Sequence, residues 1–356
     1  MKRPALHEAH AALGAKFAPF AGWEMPVQYT SVLNEHRAVR ERAGLFDVSH
    51  LGNLFVSGAG AGGFLDSVFP GKVAALAPEE AGYNLLLNDS AGIVDDLFVY
   101  RIASGFMIVP NAANTPAVAA ILGAGAGRGI EVTDKSAEWS ILALSGPAAL
   151  QIVGEHLPQC RELRLHRVAP AEALGPDVLI ARTGYTGEPT FEFFVRGVQA
   201  HEVWDLLMGF GKHAGVEPAG LAARDLLRLE MGYPLHGSDI DESTNPLEAG
   251  LGWLIDWDKA FTGSDALAAA REAGVSRKLS GLVGRGREIP RAGCAVLRGG
   301  EKIGEVTSGN FSPVLRTGVA LAYLPADAAS PGTLVEIDVR GRMLPAEVVK
   351  PPFIRT

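Results

Sequence analysis

Three hundred and fifty-six residues exceed what one hydrophobic core usually organises, and 47% hydrophobic against 20% charged residues exclude a disordered chain. The 32 basic and 40 acidic residues leave a formal net charge of -8, with no Lys/Arg run longer than two, so the basic footprint of a nucleic-acid binder is missing. Two cysteines, Cys160 and Cys294, are too few for a disulfide framework or a Cys-rich zinc site and fit a reducing compartment, by default the cytoplasm.

At the N-terminus, Met1 to Leu13 is interrupted by Lys2, Arg3, His7, Glu8 and His10 and reads as neither a signal peptide nor a membrane span. His7 and His10 read as a solvated pair, and the nine scattered histidines offer no metal-binding spacing. Further on, Asn53 to Val56 is predicted as a strand running into Ser57-Gly58, with helical spacing over Ala61 to Phe69. Gly58-Ala59-Gly60-Ala61-Gly62-Gly63 has the dinucleotide spacing. The acid that such a site needs about twenty positions on falls in the loop Pro78-Glu79-Glu80, so chain entry into a helix is the better reading. Strands are predicted at Asp96 to Ile102 and Phe106 to Val109, and Thr115-Pro116 places a hydroxyl at a helix cap and proline at the first helical position.

Val178 to Ala181 and Phe191 to Val195 read as strands flanking a turn, and His201 to His213 and Ala222 to Met231 as helices. Beyond roughly residue 275 the chain turns to short strands: Leu279 to Val283, Ala295 to Arg298, Gly304 to Val306, Val319 to Tyr323, Leu334 to Val339 and Pro345 to Val349. Gly299-Gly300 and Gly341 supply hairpin turns among them. The expected organisation is an α+β body over residues 1–275 and a small all-β domain over residues 276–356.

Four places could carry chemistry. Asp95 and Asp96 head an apolar strand, and because consecutive strand residues point to opposite faces they are expected in separate environments. At least one adjoins apolar surface and needs a donor or a raised pKa, unless both are solvated in a strand-entry turn. Glu192 sits alone in the aromatic run Thr190 to Val195, where it could pair with an arginine or accept two parallel N–H bonds from a flat 2-amino-4-oxo ring edge. Arg224 and Arg228 share a helix face, neutralised either by Asp225 and Glu230 or by an anionic ligand. Arg182-Thr183-Gly184-Tyr185-Thr186-Gly187-Glu188 is either a tight hairpin or a loop whose glycines let a ligand approach the backbone.

Taken together, the motifs resemble the aminomethyltransferase (T-protein) family of the glycine cleavage system across essentially the whole chain. Those that carry the likeness are Pro19 to Tyr29, Phe46-Asp47-Val48-Ser49-His50, Gly92 to Leu97, Arg182 to Glu188, Ala223-Arg224-Asp225 with Leu227 to Glu230, Asp239 to Glu242, Pro246 with Glu248 to Leu251, and Thr307-Ser308-Gly309 with Ser312-Pro313. The resemblance implies a three-lobed, cloverleaf-like folate-binding fold with antiparallel sheets and a C-terminal β-barrel-like domain. It implies tetrahydrofolate as co-substrate, no metal, and the lipoylated H-protein as partner, with ammonia released and 5,10-methylenetetrahydrofolate formed.

Carried over residue by residue, the resemblance implies Asp96 as the functional acid near the folate's reactive nitrogens. Glu192 matches the pterin-edge acceptor, Arg224 a folate-pocket arginine, Asn111 the asparagine of Asn-Ala-Ala-Asn, and Tyr83, Tyr100 and Tyr185 pocket aromatics. Leu51 stands where the family has Met and His236 where it has Tyr, both at folate-contacting positions. Phe106, Pro110 and Pro189-Thr190 also depart from the family pattern, and His236 with Pro189-Thr190 bears on the identity of the one-carbon donor. Arg287, Arg291 and Arg316 are candidate cations for docking an acidic carrier. Alternatives on the same scaffold are a tetrahydrofolate-dependent demethylase and a non-catalytic folate-binding maturation factor, and the turn Thr183 to Glu188 lacks the Lys-Gly-Cys motif of the latter.

Overall fold

The aromatic run Thr190–Arg196 is a strand whose alternate side chains serve two faces. Phe191, Phe193 and Val195 enter a core with Leu142, Leu144 and Trp204, while Glu192 and Phe194 point to the other face. This strand pairs antiparallel with Trp139–Ser145 on one side and Leu179–Ala181 on the other, inside a six-stranded sheet that ends in a parallel pairing of Glu217–Pro218 with Gly44–Asp47. The helix Ala200–Phe210 contributes Val203, Trp204 and Leu207 to the same core. At about 1.5–3 kcal/mol for each fully buried large apolar side chain, that face is a main stabiliser of the sheet.

The computed structural model describes residues 1–356, which divide into two compact units. The first is Met1–Leu85 with Asp95–Arg224, and the second is Leu86–Val94 with Asp225–Thr356. A five-stranded sheet runs in the order Ala81–Leu87, Ile93–Ile102, Gly105–Val109, Leu54–Ser57 and Glu131–Asp134. The glycine-rich segment 58–63 does lead from a strand into the helix Ala61–Val68. Gly58 has φ +114°, and a Cβ there would lie 2.1 Å from the Gly129 carbonyl oxygen, so close backbone packing accounts for the glycine.

In the second unit, Arg277–Gly284, Thr317–Pro325, Glu301–Ser312, Ala295–Arg298, Leu334–Val339 and Arg342–Val349 close into a barrel in that order. Leu282, Val306, Ala322, Ile337, Leu344 and Val348 are among the side chains that fill it. The strand expected at Gly304 to Val306 is far longer, because the polar stretch Thr307 to Ser312 continues the pairing with Thr317–Pro325. A polar run gives no alternation to read, yet it is fixed here by ladder bonds.

Arg228 is nearly fully buried in this unit and bonded all round. It donates to Asp239 Oδ2 (2.7 Å), Ser308 Oγ (2.8 Å), Asp225 Oδ1 (2.8 Å) and the Tyr233 carbonyl (3.0 Å). Asp239 also accepts from Leu235 N at 2.9 Å and from Ser308 Oγ at 2.8 Å, and its carbonyl accepts from Tyr323 OH at 2.9 Å. Asp225 thus neutralises Arg228 as the helix pattern allowed. Glu230 accepts from Ser312 Oγ at 2.6 Å. Removing one partner of a buried pair strands the other charge, so Arg228→Met should destabilise this unit by about 3–5 kcal/mol. Urea unfolding of Arg228→Met, Asp239→Asn and the double variant should reveal strong non-additivity, and additive losses would contradict a shared network.

Candidate active site

The head of strand Ile93–Ile102 carries the two acids. Asp95 is fully buried and Asp96 half-buried. The antiparallel register, Phe98 opposite Val109, places Asn111 across from Asp96 just beyond the end of the neighbouring strand. From there Asn111 Nδ2 donates to Asp95 Oδ1 (2.8 Å), Asp96 Oδ1 (2.9 Å) and the Asp96 carbonyl (2.9 Å), and its backbone N–H reaches Asp95 Oδ2 (3.0 Å). Asn114 Nδ2 adds a third donor to Asp95 at 2.7 Å. The separate environments expected of consecutive strand residues are therefore not realised. One amide spans both acids, because its side chain lies beyond the ladder, where the pleat no longer separates the faces.

Tyr83 OH donates to Asp96 Oδ2 at 2.8 Å, and its ring lies 5.6 Å from Phe98. Burial, then the charge and hydrogen bond of Asp96, hold the Tyr83 phenol well above its ordinary pKa, so it remains a donor. Asp95 is pushed up to about 8 by burial and then by the charge of Asp96, against the donor bonds from Asn114 and Asn111. The pair therefore retains a proton across neutral pH.

Along the same strand, Tyr100 OH lies 3.0 Å from Thr183 Oγ1 and donates to Glu192 Oε2 at 3.2 Å, and Thr183 Oγ1 donates to the same oxygen. Arg224 lies with its guanidinium 5.1 Å from the Tyr185 ring centroid, and its Nη1 is buried with no hydrogen-bond partner. Burial lowers the Arg224 pKa and the charge of Glu192 raises it. The turn that presents Thr183 and Tyr185 is anchored by Ser145 Oγ, 2.6 Å from Thr186 Oγ1 and 2.7 Å from Thr190 Oγ1. Arg40 clamps its far end at the Thr186 carbonyl (2.7 Å) and Glu188 (3.0 Å).

A fixed acid, an aromatic wall and a buried cation with an unpartnered N–H are the groups that a flat, polar ligand would require. Family models match twice along the chain: the GCVT N-terminal domain over residues 6–259 and the glycine cleavage T-protein C-terminal barrel domain over residues 277–354. The chain belongs to the glycine cleavage T-protein family. An aminomethyltransferase of Halothermothrix orenii is 44% identical over 99% of this chain and 100% of that protein, and one of Frankia alni is 44% identical over 99% and 98%. The crystal structure of glycine cleavage system aminomethyltransferase T from Bartonella henselae matches with a TM-score of 0.93 at 38% identity, covering 99% of this chain and 98% of that one. The T-protein fold class, α+β with a C-terminal barrel, and the aminomethyltransferase activity expected from the motifs are those of this family, and neither the demethylase nor the maturation-factor alternative is favoured.

Most of the residues singled out in this T-protein chain fall in the first unit. Tyr83, Asp96 and Asn111 form one bonded cluster, and Tyr100 with Glu192 and Arg224 with Tyr185 form the neighbouring contacts. Leu51 is half-buried on a loop whose next residue, Gly52, donates its N–H to the Pro110 carbonyl at 3.0 Å. His236 lies in the second unit with Nε2 3.0 Å from the Ile93 carbonyl oxygen. Thr190, a departure from the family pattern, is a buried anchor of the turn. His10 is not solvated: it is fully buried, 2.9 Å from both Asp47 Oδ2 and Tyr29 OH. Asn114, Thr183 and His50 stand in or beside the family motifs, but only their structural surroundings single them out.

The raised Asp95 pKa fixes a sign. The folded chain holds a proton that the unfolded chain releases near the ordinary carboxylate range, so this contribution to stability is full below about pH 4 and is lost as pH rises through about 8. Carboxyl carbon NMR of aspartate-labelled protein should contain one resonance titrating near pH 8 that disappears in Asp95→Asn. A spectrum in which every aspartate titrates near pH 4 would contradict the shared proton.

Proposed function

We propose that this T-protein moves a one-carbon unit from an aminomethyl group on the dihydrolipoyl arm of the H-protein to tetrahydrofolate, with release of ammonia and formation of 5,10-methylenetetrahydrofolate. The observation that carries the reading is the half-buried carboxylate of Asp96, fixed by Tyr83 and Asn111 beside an aromatic wall. A flat pterin fits the groups present. Supporting this reading, Glu192 receives the Tyr100 and Thr183 donors on Oε2, so that Oε1 could accept from a ring N–H edge, Arg224 Nη1 lacks an acceptor, and the rings of Tyr83, Phe98, Tyr100 and Tyr185 supply apolar faces. Tetrahydrofolate supplies the nitrogens that accept the carbon.

The chain's own contribution is electrostatic and geometric. When the amine leaves, positive charge develops on the transferring carbon, and a carboxylate already oriented by two donors stabilises it without reorganising. The proton held on the acid pair keeps the cluster at a single negative charge. Asp96 can also receive or return a proton, and no covalent nucleophile is needed. Docking of the carrier is assigned to cations of the barrel, among them Arg287 and Arg316; Arg291 is already engaged by Asn310 Oδ1 at 2.7 Å. Both cysteines are free thiols, in keeping with a cytoplasmic setting.

Asp96→Asn keeps the shape and the bond from Tyr83 but removes the charge. It should lower kcat by about 100-fold or more with tetrahydrofolate affinity within about threefold. Steady-state turnover with aminomethylated carrier, alongside direct binding of the folate, separates the two. A kcat within about threefold of wild type, under one kcal/mol of barrier, would remove Asp96 from the chemistry.

A further inference from the structure

His50 follows the Asp47–Ser49 turn and is held there by an unusually complete set of bonds. Asp47 Oδ1 accepts the Ser49 N–H at 2.8 Å, Ser49 Oγ accepts the Ile141 N–H at 3.1 Å, and the Leu51 N–H reaches the Val48 carbonyl at 3.1 Å. Asp47 is itself fixed from behind by buried His10 at 2.9 Å. At Gly52 a Cβ would lie 2.5 Å from Thr115 Oγ1 and 2.7 Å from Pro110, so the loop packs directly on the segment that supplies Asn111. The result is a rigid mount for one imidazole.

That imidazole is underused by the protein. His50 is 7% exposed, its Nδ1 is buried with no hydrogen-bond partner, and its only ring contact is an edge-on one with Phe20 at 5.1 Å. A buried polar atom without a partner costs free energy of the order of 1–3 kcal/mol, and such atoms are few in a folded chain; Asn53 Oδ1 and Trp139 Nε1 are two others here. A second buried orphan, Arg224 Nη1, belongs to the same unit. Burial and then the charge of Arg224 depress the His50 pKa to about 3, so the ring is neutral and carries a single N–H. A neutral imidazole that feels the charge of Arg224, itself acted on by the charge of Glu192, suits an uncharged acceptor.

We propose that His50 is a ligand-binding residue of this site and that, with Arg224, it donates to the carbonyl oxygen of a lactam whose N–H side is accepted by Glu192. A carbonyl oxygen has two lone pairs and can satisfy both orphan atoms, with the single imidazole proton on Nδ1. The ligand class is a 4-oxo pterin, so this inference rests on the folate reading and extends it: His50 discriminates the oxo ring from a 4-amino ring, which would present N–H groups or a positive charge to two donors.

The test is calorimetric binding of tetrahydrofolate and of its 4-amino-4-deoxy analogue to the full-length chain and two variants, with thermal melting to confirm folding. His50→Phe keeps the ring packing on Phe20 and removes the donor, whereas His50→Gln restores an N–H. Wild type should prefer the oxo compound, His50→Phe should weaken it by about tenfold while changing the analogue little, and His50→Gln should recover most of the preference. Equal weakening of both compounds, or none, overturns the role of His50 alone. Failure of wild type to bind either compound overturns the folate reading and this inference with it.

Discussion

Two carboxylates on adjacent residues, one buried and one half-buried, share a single amide donor, and much of the first unit is arranged so that this can persist. Like charges at such range are tolerated only if donors converge or a proton is retained, and both occur at Asp95 and Asp96. Asn111 spans the pair. The same short segment receives Gly52 N–H on the Pro110 carbonyl and opens the helix Thr115–Gly125 at Asn114. Strand head, helix start and the loop bearing His50 are thus fixed to one polar cluster. The cost of burying charge here is offset by geometry that leaves Asp96 oriented before any ligand arrives.

The second unit solves a comparable problem differently. Arg228 and Asp239 are buried and satisfied entirely from within, by Asp225, the hydroxyls of Thr307 and Ser308, and backbone groups. Nothing in that network is left without a partner. Arg224, one helical turn earlier, has a buried N–H with no acceptor. The contrast between a closed network and an open one separates the structural Arg228 from Arg224, for which a ligand contact is proposed, better than sequence spacing does.

Legibility in the sequence followed the strength of local periodicity. Leu334–Val339 is readable to the residue from its alternating apolar positions and the Gly341 turn, and Ala295–Arg298 from a short apolar run stopped by Gly299-Gly300. The helix near Thr115 was readable, but its cap is Asn114 and Thr115 is already helical, its hydroxyl donating to the Asn111 carbonyl instead. The acid pair was visible as a pair. Its shared donor was not, because Asn111 acts from outside the ladder, where strand alternation carries no information. His10 is buried, not solvated, because the packing of a short N-terminal helix against Asp47 and Tyr29 is a tertiary fact with no local signature. His50 stands inside the motif Phe46 to His50, where only the unpartnered Nδ1 sets it apart from a histidine bonded within the fold.

The chemistry depends on where the coenzyme ring sits relative to Asp96. A crystal structure with tetrahydrofolate bound tests this most directly. The prediction is a pterin against the Tyr100 and Tyr185 walls, with Glu192 on its amino edge and the reacting nitrogens within hydrogen-bond reach of the Asp96 carboxylate. A ring bound elsewhere, or an Asp96 turned wholly to Tyr83 and Asn111 with the nitrogens out of its reach, would contradict it.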